Sequence, residues 1–512
     1  MEAYQIWEKY QQGVDHHSKM ALYTKVEKCH NFYEGEQWRD SQGVIADDLP
    51  IYNIIKPTVD YKTSMIAQNS MVVTYSPQSG DPVENELCEQ LTAYAAKQWE
   101  KLKMDTKLWS AIKEAAITGD SFLFFFDDKF GSQLLTSDQV FLGDEQQQDI
   151  QKQPYIIIYE RRLVSDVREE ARRNGLAEEV VMQIISDSAE TDLKQLTEEV
   201  KSEEGEKVNT LLYFTRENGM VKFCRSTQNV IFQEMQEIPG MNHYPIAKYT
   251  WEAKHRNSRG VGEVHPMIHN QVEINKTLYR RLEAMKMTAF PKPVYVENMV
   301  ENPDSISAVG TPIRINGGNV QRLSEVFTYM QPAQMSGDAK LLMDEMLNTT
   351  RDLANAGEAA LGNIDPTKAS GAAIVAVKDA QAIPLNEQKA AAKQFVEDIA
   401  RIWVDEITAY GVNGIEVEPG VMLDGDALAE LELEIRVDVS DGNPYSKFAR
   451  EQALENALAN QFITFEEYVE ALDEDSHAPK AKFQDILNAR MAMQEEQMAM
   501  QMGGMPGGML PM

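Results

Sequence analysis

Residues 260–295 read GVGEVHPMIHNQVEINKTLYRRLEAMKMTAFPKPVY, and the architecture of the chain is decided in this stretch. A Gly-x-Gly turn opens it, a long helical pattern follows, and the proline pair Pro291/Pro293 ends it. Val264, Ile268, Val272, Leu278, Leu282, Met285 and Ala289 recur at three- and four-residue steps. That spacing predicts one buried stripe along the whole helix. Lys276, Arg280, Arg281 and Lys286 occupy its other faces, four cations gathered on one element. Lys276 and Arg280 share a face by the four-residue rule, while Arg281 lies about 100° further round.

The concentration of cations stands out because the chain as a whole is acidic. Its 512 residues carry 49 Lys and Arg against 81 Asp and Glu, a formal charge of −32, with a sequence pI near 4.7. Such a surface repels duplex DNA and anionic membrane, so tight binding by phosphate neutralisation is not expected. Hydrophobic residues at 43% and charged residues at 25% are those of a folded chain long enough for two to four domains. Cys29, Cys88 and Cys224 are odd in number and far apart, which offers neither a disulfide framework nor a zinc knuckle. A reducing compartment is expected. The opening MEAYQIWEKY lacks a signal pattern. The apolar run Phe122–Phe126 falls far short of the roughly 20 residues of a bilayer span. A soluble, cytoplasmically made protein with no membrane contact is therefore expected.

Outward from the long helix the pattern is α+β. Asp15 is read as the cap of a helix reaching about Tyr33, broken by Gly35–Trp38. Pro57 sits in the first turn of a second helix, where its missing N–H costs little. Met71–Tyr75 reads as a strand, Asp81–Pro82 as a helix start, and Asp105–Thr118 as a helix stopped by Gly119. From Ser121 the period switches to strands: SFLFFFDD, the segment at Val140–Phe141, and PYIIIYE. Two short helices, 165–174 and 177–186, precede an acidic stretch, 189–206, read as a solvated excursion. Strands resume near 209–215, 221–225, 230–233 and 247–251. After the long helix, 291–331 reads as short strands and turns, and 336–355 as a second long helix. A third, 372–410, is expected to kink at Pro384. Glu430–Asn443 alternates as one strand, short helices follow at 444–459 and 464–472, and Met491–Met512 reads as a disordered tail.

The motifs for chemistry are sparse. There is no Gly-x-x-x-x-Gly-Lys-Ser/Thr phosphate loop, and Gly260-Val-Gly262 lacks the third glycine of a dinucleotide turn. His265 and His269 have metal-ligand spacing but no third ligand. Asp127–Asp128, Asp424 with Asp426, and Asp438 with Asp441 fit Asp-rich turns. No nucleophile elbow or catalytic-cysteine context occurs. No enzyme, metal or cofactor is expected.

The order of segments resembles the portal proteins of tailed double-stranded DNA bacteriophages. NFYEGEQW followed by LPIYNIIKPTVDYKTSMI is similar to the start of many of them. WSAIKEAAITGDSFLFFFDD resembles their helix–Gly–strand step. HYPIAKYTWE leading into the long helix resembles their approach to the stem, with Gln271 and Asn275 at the Gln-x-x-x-Asn positions. LGNIDPTKASGAAIVAVK resembles the stretch after the tunnel loop.

The resemblance implies a portal fold with these parts: a helical and β wing (1–258), a first stem helix (259–289), a small α/β clip (290–335) and a second stem helix (336–356). It also implies a tunnel loop (357–371), a kinked wing helix (372–410), a mainly helical crown (411–490) and the tail (491–512). Lys276, Arg280, Arg281 and Lys286 become candidates for facing DNA, and Gly357, Leu361, Asn363, Asp365, Lys368 and Ser370 become tunnel-loop residues. The implied partners are copies of itself in a ring, usually twelve, and double-stranded DNA in transit. Large terminase, a head-completion adaptor, the major capsid protein and a scaffolding protein complete them. The implied place is the virion's portal vertex, reached after assembly in the host cytoplasm. Packaging energy would come from a separate ATPase. The competing expectations are another ring-forming head–tail adaptor, a cellular coiled-coil scaffold and a metal-dependent nucleic-acid enzyme. Adaptors are generally shorter, and a scaffold needs sustained heptads that this chain lacks.

Overall fold

The structure, a computed structural model, describes residues 2–38, 49–68, 70–78, 81–126, 131–187, 207–289, 291–306, 311–316, 322–330, 338–355 and 383–410. Shorter stretches between 415 and 440, positions 454 and 458, 462–471 and 482 are also described. Two compact units are distinguished, one of residues 1–67 and 73–437, the other of 68–72 and 438–512.

In the first unit the chain opens with α1 (Ala3–Lys19) and α2 (Leu22–Glu34). The single helix expected to start at Asp15 is in fact two. Asp15 lies inside α1, whose N-terminus is closed by a capping box of Glu2 and Gln5. The break falls at Ala21, held at φ 52° with no glycine to announce it, whereas Gly35 ends α2 at φ 99° as its residue type predicts. Asn53 caps α3 (Ile55–Ala67), its side-chain oxygen accepting from the amides of Ile55 and Lys56. β1 (Ser70–Pro77) leads to α4 (Pro82–Lys101), capped by Asp81, and then to α5 (Met104–Thr118), ended by Gly119.

Two antiparallel sheets follow. β2 (Asp120–Phe125) lies between β3 (Ser132–Thr136) and β9 (Ile246–Thr250). A five-stranded sheet runs β4 (Val140–Leu142), β5 (Tyr155–Leu163), β6 (Lys207–Glu217), β7 (Met220–Ser226), β8 (Ile231–Glu237) in that order. The run Ile156-Ile157-Ile158 is explained by burial on both faces. Ile156 and Ile158 join Phe122, Phe124, Leu212 and Phe214 in the core between the sheets. Ile157 points the other way and packs with Leu211 and Tyr213 against Ile6 and Tyr10 of α1. α6 (Val164–Arg173) and the single turn α7 (Glu178–Val181), shorter than the expected 177–186, cover Val208 and Phe232.

The long helix is α8 (Val264–Ala289). After it, β10 (Pro293–Tyr295) pairs antiparallel with β11 (Phe327–Tyr329), Val294 opposite Thr328. α9 (Asp338–Leu353) packs on α8. Among the described residues the expected third helix begins as α10 (Asn386–Tyr410); 372–382, the part ahead of the kink expected at Pro384, lies outside the described residues. Pro384 lies in a 3-10 turn, Ile383–Leu385, directly before it, where a proline's missing donor is not needed. α10 buries Phe395, Ile399, Ile402, Trp403 and Ile407; the Phe395 ring stands 5.7 Å from Tyr249 of β9 and Trp403 5.8 Å from Trp99 of α4.

Beyond α10 come β12 (Ile415–Glu418) paired with β13 (Val421–Leu423), the short α11 (Gly425–Ala429) and β14 (Leu433–Ser440). In the second unit, α12 (Phe465–Ala471) buries Tyr468 and Val469 among Leu454, Leu458 and Ile463. The fold is α+β. The acidic stretch 189–206, most of the expected helix 444–459 and the Met-rich tail lie outside the described residues.

Candidate functional site

The approach to α8 is built from backbone packed on backbone. A Cβ on Gly260 would come 2.7 Å from the Gly119 carbonyl oxygen, and one on Gly262 would come 2.7 Å from that of Ile117. Gly-x-Gly is therefore a close-approach motif, which lets the chain cross the end of α5. The amide of Glu263 donates to the Ala116 carbonyl at 2.7 Å and Trp251 to that of Gly119 at 3.0 Å. Buried Asp120 gathers the rest: its carboxylate accepts from the Gly260 amide at 2.8 Å and the Thr250 hydroxyl at 2.9 Å, with the Lys248 ammonium at 3.5 Å. Burial pulls the Lys248 ammonium and the Arg259 guanidinium below their ordinary values, and Asp120 opposes the shift in both. One residue before α8, Glu263 meets Lys62 of α3 at 2.7 Å, and both are largely removed from water.

Halfway along α8 the interior is polar. Gln271 is fully buried and Asn275 nearly so. The Gln271 amide oxygen accepts from the Ile54 amide at 3.1 Å, and its nitrogen donates to the Tyr52 carbonyl at 2.8 Å and to the Asn275 oxygen at 3.0 Å. That Asn275 oxygen also accepts from the Tyr52 amide at 3.2 Å, while Asn275 Nδ2 donates to Gln37 at 2.6 Å. The predicted stripe assigned this face to apolar residues alone. The signal for the polar pair was present, since 264, 268, 271 and 275 follow the same three- and four-residue steps.

The second half of the helix departs from the expected stripe. Burial ends at Asn275: Leu278 and Leu282 are half-buried, and Met285 is 62% exposed. Among the described residues nothing covers this half as Val264, Met267, Ile268 and Ile274 are covered. Its partner α9 is similarly bare, with Leu341 67% and Leu353 73% exposed; Val294, Tyr295, Tyr329 and Met330 around β10 and β11 are also open.

The four cations all fall at or beyond the end of the buried half. Lys276 bonds Glu273 at 2.7 Å and Lys286 bonds Glu283 at 3.1 Å, both as exposed pairs one turn apart. The Lys276 ammonium holds the Glu273 carboxyl below its usual value. Arg280 is exposed beside them. Arg281 is turned to α9, its Nη1 3.4 Å from the Met343 sulfur. The structure thus brings Lys276 and Arg280 onto one open face and separates Arg281 from them. The tunnel-loop candidates Gly357, Leu361, Asn363, Asp365, Lys368 and Ser370 lie outside the described residues, as do Asp127, Asp128, Asp424 and Asp441. Burial, together with Lys25 and Lys28, lowers the His265 pKa. Among the described residues no group of three His, Cys, Asp or Glu could hold a metal, and no helix is long and apolar enough to cross a membrane.

Comparison with known proteins places this geometry. No curated protein matches the chain. The family model of the phage P22-like portal protein matches residues 126–412, more than half of the 512. The match takes in both sheets from β3 onward, α8, the β10–β11 pair, α9 and α10. The chain belongs to the phage P22-like portal protein family.

Proposed function

We propose that the chain assembles into a closed ring at one capsid vertex and that double-stranded DNA passes through the ring during packaging and ejection. One observation carries the reading: in a portal-family chain, the second half of α8 and its partner α9 leave large apolar side chains open beside a row of cations. Apolar side chains repeated along two paired helices call for a protein neighbour, and another copy of the same chain supplies one by symmetry. In this reading α8 and α9 are the stem helices, 290–335 the clip, 357–371 the tunnel loop and 411–490 the crown. Twelve copies is the expected count.

A conduit must not grip its cargo. A strongly acidic chain with a few cations meets that need, because each ring of lysine or arginine touches phosphate without reading sequence. Lys276 and Arg280 are the residues assigned to the bore, with Lys286 further along; Arg281 is assigned to the contact between α8 and α9. Pairing with Glu273 and Glu283 moderates the two lysines. The clip is the docking face for large terminase during packaging and for the head-completion protein afterwards. Capsid and scaffolding proteins meet the wing. The chain itself has no catalytic role, and the terminase supplies the ATPase.

Electron microscopy of the purified protein tests the core of this. Holed rings are expected; monomers or dimers under every condition overturn it. Replacing Lys276 and Arg280 with Glu is expected to leave ring mass unchanged and to lower packaged DNA. Normal packaging by that variant removes both residues from the bore. ATP hydrolysis by the purified chain would refute the separate motor.

A further inference from the structure

We infer that Gln271 and Asn275 are the fulcrum of α8, the positioning residues that fix the direction in which its exposed half leaves the fold. Residues 264–275 are held from several sides, by the Gly260/Gly262 crossing, the Lys62–Glu263 pair and the side-chain bonds to Tyr52, Ile54 and Gln37. Beyond Asn275 the contacts among the described residues are the packing of α9, with Arg281 on Met343, and the edge of Trp38 on Tyr279, ring centres 6.5 Å apart. Among the described residues, the last hydrogen bonds that the N-terminal segment makes to the helix are therefore those of two side-chain amides. They bond the backbone of 52–54 much as a neighbouring strand would, through both its N–H and C=O groups.

Amides suit this task better than an apolar contact. A leucine face slides and rotates at small cost, whereas three directed bonds to backbone atoms and a fourth to the Gln37 side chain specify one rotation and one tilt. The lever is long: 276–289 spans about 20 Å, so a pivot of about 10° at Asn275 moves its far end by about 4 Å. The gripping segment, Gln37 and Tyr52–Ile54, precedes the part of the chain that matches the family. An N-terminal segment of the chain thus sets the position of a family element. For its consequence, the placing of Lys276 and Arg280 around DNA, this inference rests on the channel reading. The geometry itself lies within one chain.

The experiment uses full-length protein with spin labels at Ser110→Cys on α5 and Lys286→Cys near the end of α8, diluted with unlabelled chain. The three native cysteines are buried, so the introduced thiols take the label. Gln271→Met with Asn275→Leu keeps volume and removes the bonds. The expected result is a 110–286 distance distribution broadened by several ångströms. The Tyr52 and Ile54 amides should also exchange with solvent about 10-fold faster or more, because they lose their side-chain acceptors. Gln37→Leu, milder and outside the helix, is expected to broaden the distribution less, and it decides the matter if the double variant does not fold. Faster exchange at Tyr52 and Ile54 with an unchanged distribution overturns the fulcrum, since the bonds would then exist without steering. An unchanged distribution in Gln37→Leu, with the double variant unfolded, overturns it too. Particle mass, measured in parallel, judges the ring separately: a parent protein without rings sinks the portal-ring reading and leaves the intrachain distances to stand.

Discussion

The two halves of α8 have similar sequence periodicity and opposite surroundings. From Val264 to Asn275 the helix is built into the fold, with Ile274 at 0% exposure and even its amides buried. From Lys276 to Ala289 the same three- and four-residue apolar rhythm continues, yet Met285 and Met287 face solvent. A hydrophobic period therefore states that a helix will be covered, and it does not state by what. The first half is covered by its own chain. The second, in our reading, is covered by another copy.

The contrast can be broken by substitution. The largest effect is expected at Ile274. Ile274→Ala should cost about 3 kcal/mol in urea unfolding, from lost transfer energy plus a cavity, while Leu282→Ala in the unassembled chain should cost about 1 kcal/mol or less. Equal costs would mean that the second half is covered within the chain. The ion pairs should divide in the same way. Lys62→Met leaves Glu263 with a charge it cannot solvate, and about 3 kcal/mol is expected. Lys276→Met breaks an exposed, solvent-screened pair and should leave the urea midpoint essentially unchanged.

A smaller effect is expected where backbones cross. The Cβ of Gly262→Ala would press on the Ile117 and Ala116 carbonyls, and a loss of about 2 kcal/mol is expected. Ala284→Gly in the open half should lose about 1 kcal/mol, through helix propensity alone. If Gly262→Ala melts like the parent, the crossing is looser than described.

A further effect concerns pH, through the buried approach to α8. The Nη2 of Arg259 donates to His17 Nε2 at 3.1 Å. Burial, helped by that guanidinium, lowers the His17 pKa to about 2. His17 is thus neutral when folded, while the unfolded chain takes up a proton below about pH 6.5. Its contribution is whole above that pH and falls by about 1.4 kcal/mol per unit below it. Urea midpoints at pH 7.0 and 5.5 should therefore separate more in the parent than in His17→Gln. Equal separation would show that His17 is protonated in the fold.

Much of this was legible beforehand, for reasons that can be located. Gly35 and Gly119 end helices because their positive φ suits no other residue so well, and Asp81–Pro82 opens one because cap and first turn are local chemistry. The Ile156–Ile158 run marked a strand, while its burial on both faces was settled by packing. Other features had no local mark. Ala21 takes a positive φ although alanine does not favour it, so the break between α1 and α2 was unreadable. β3, SQLLT, is too short and mixed to declare itself and exists through its register on β2, Leu134 opposite Leu123. The four cations were visible as a group, but only the packing of Arg281 on Met343 divided them.

By itself, then, the sequence determined the elements whose causes are local: the long helix, its capped and glycine-stopped neighbours, the antiparallel α+β block and the family resemblance carried by their order. Tertiary structure alone decided where burial on α8 stops, which cation turns to α9, and which groups meet the bonds of Gln271 and Asn275. The physical reason is distance along the chain. A buried amide is tolerable only when its bonds are met, and those of Gln271 are met by Tyr52 and Ile54, more than two hundred residues away, which no local pattern can register.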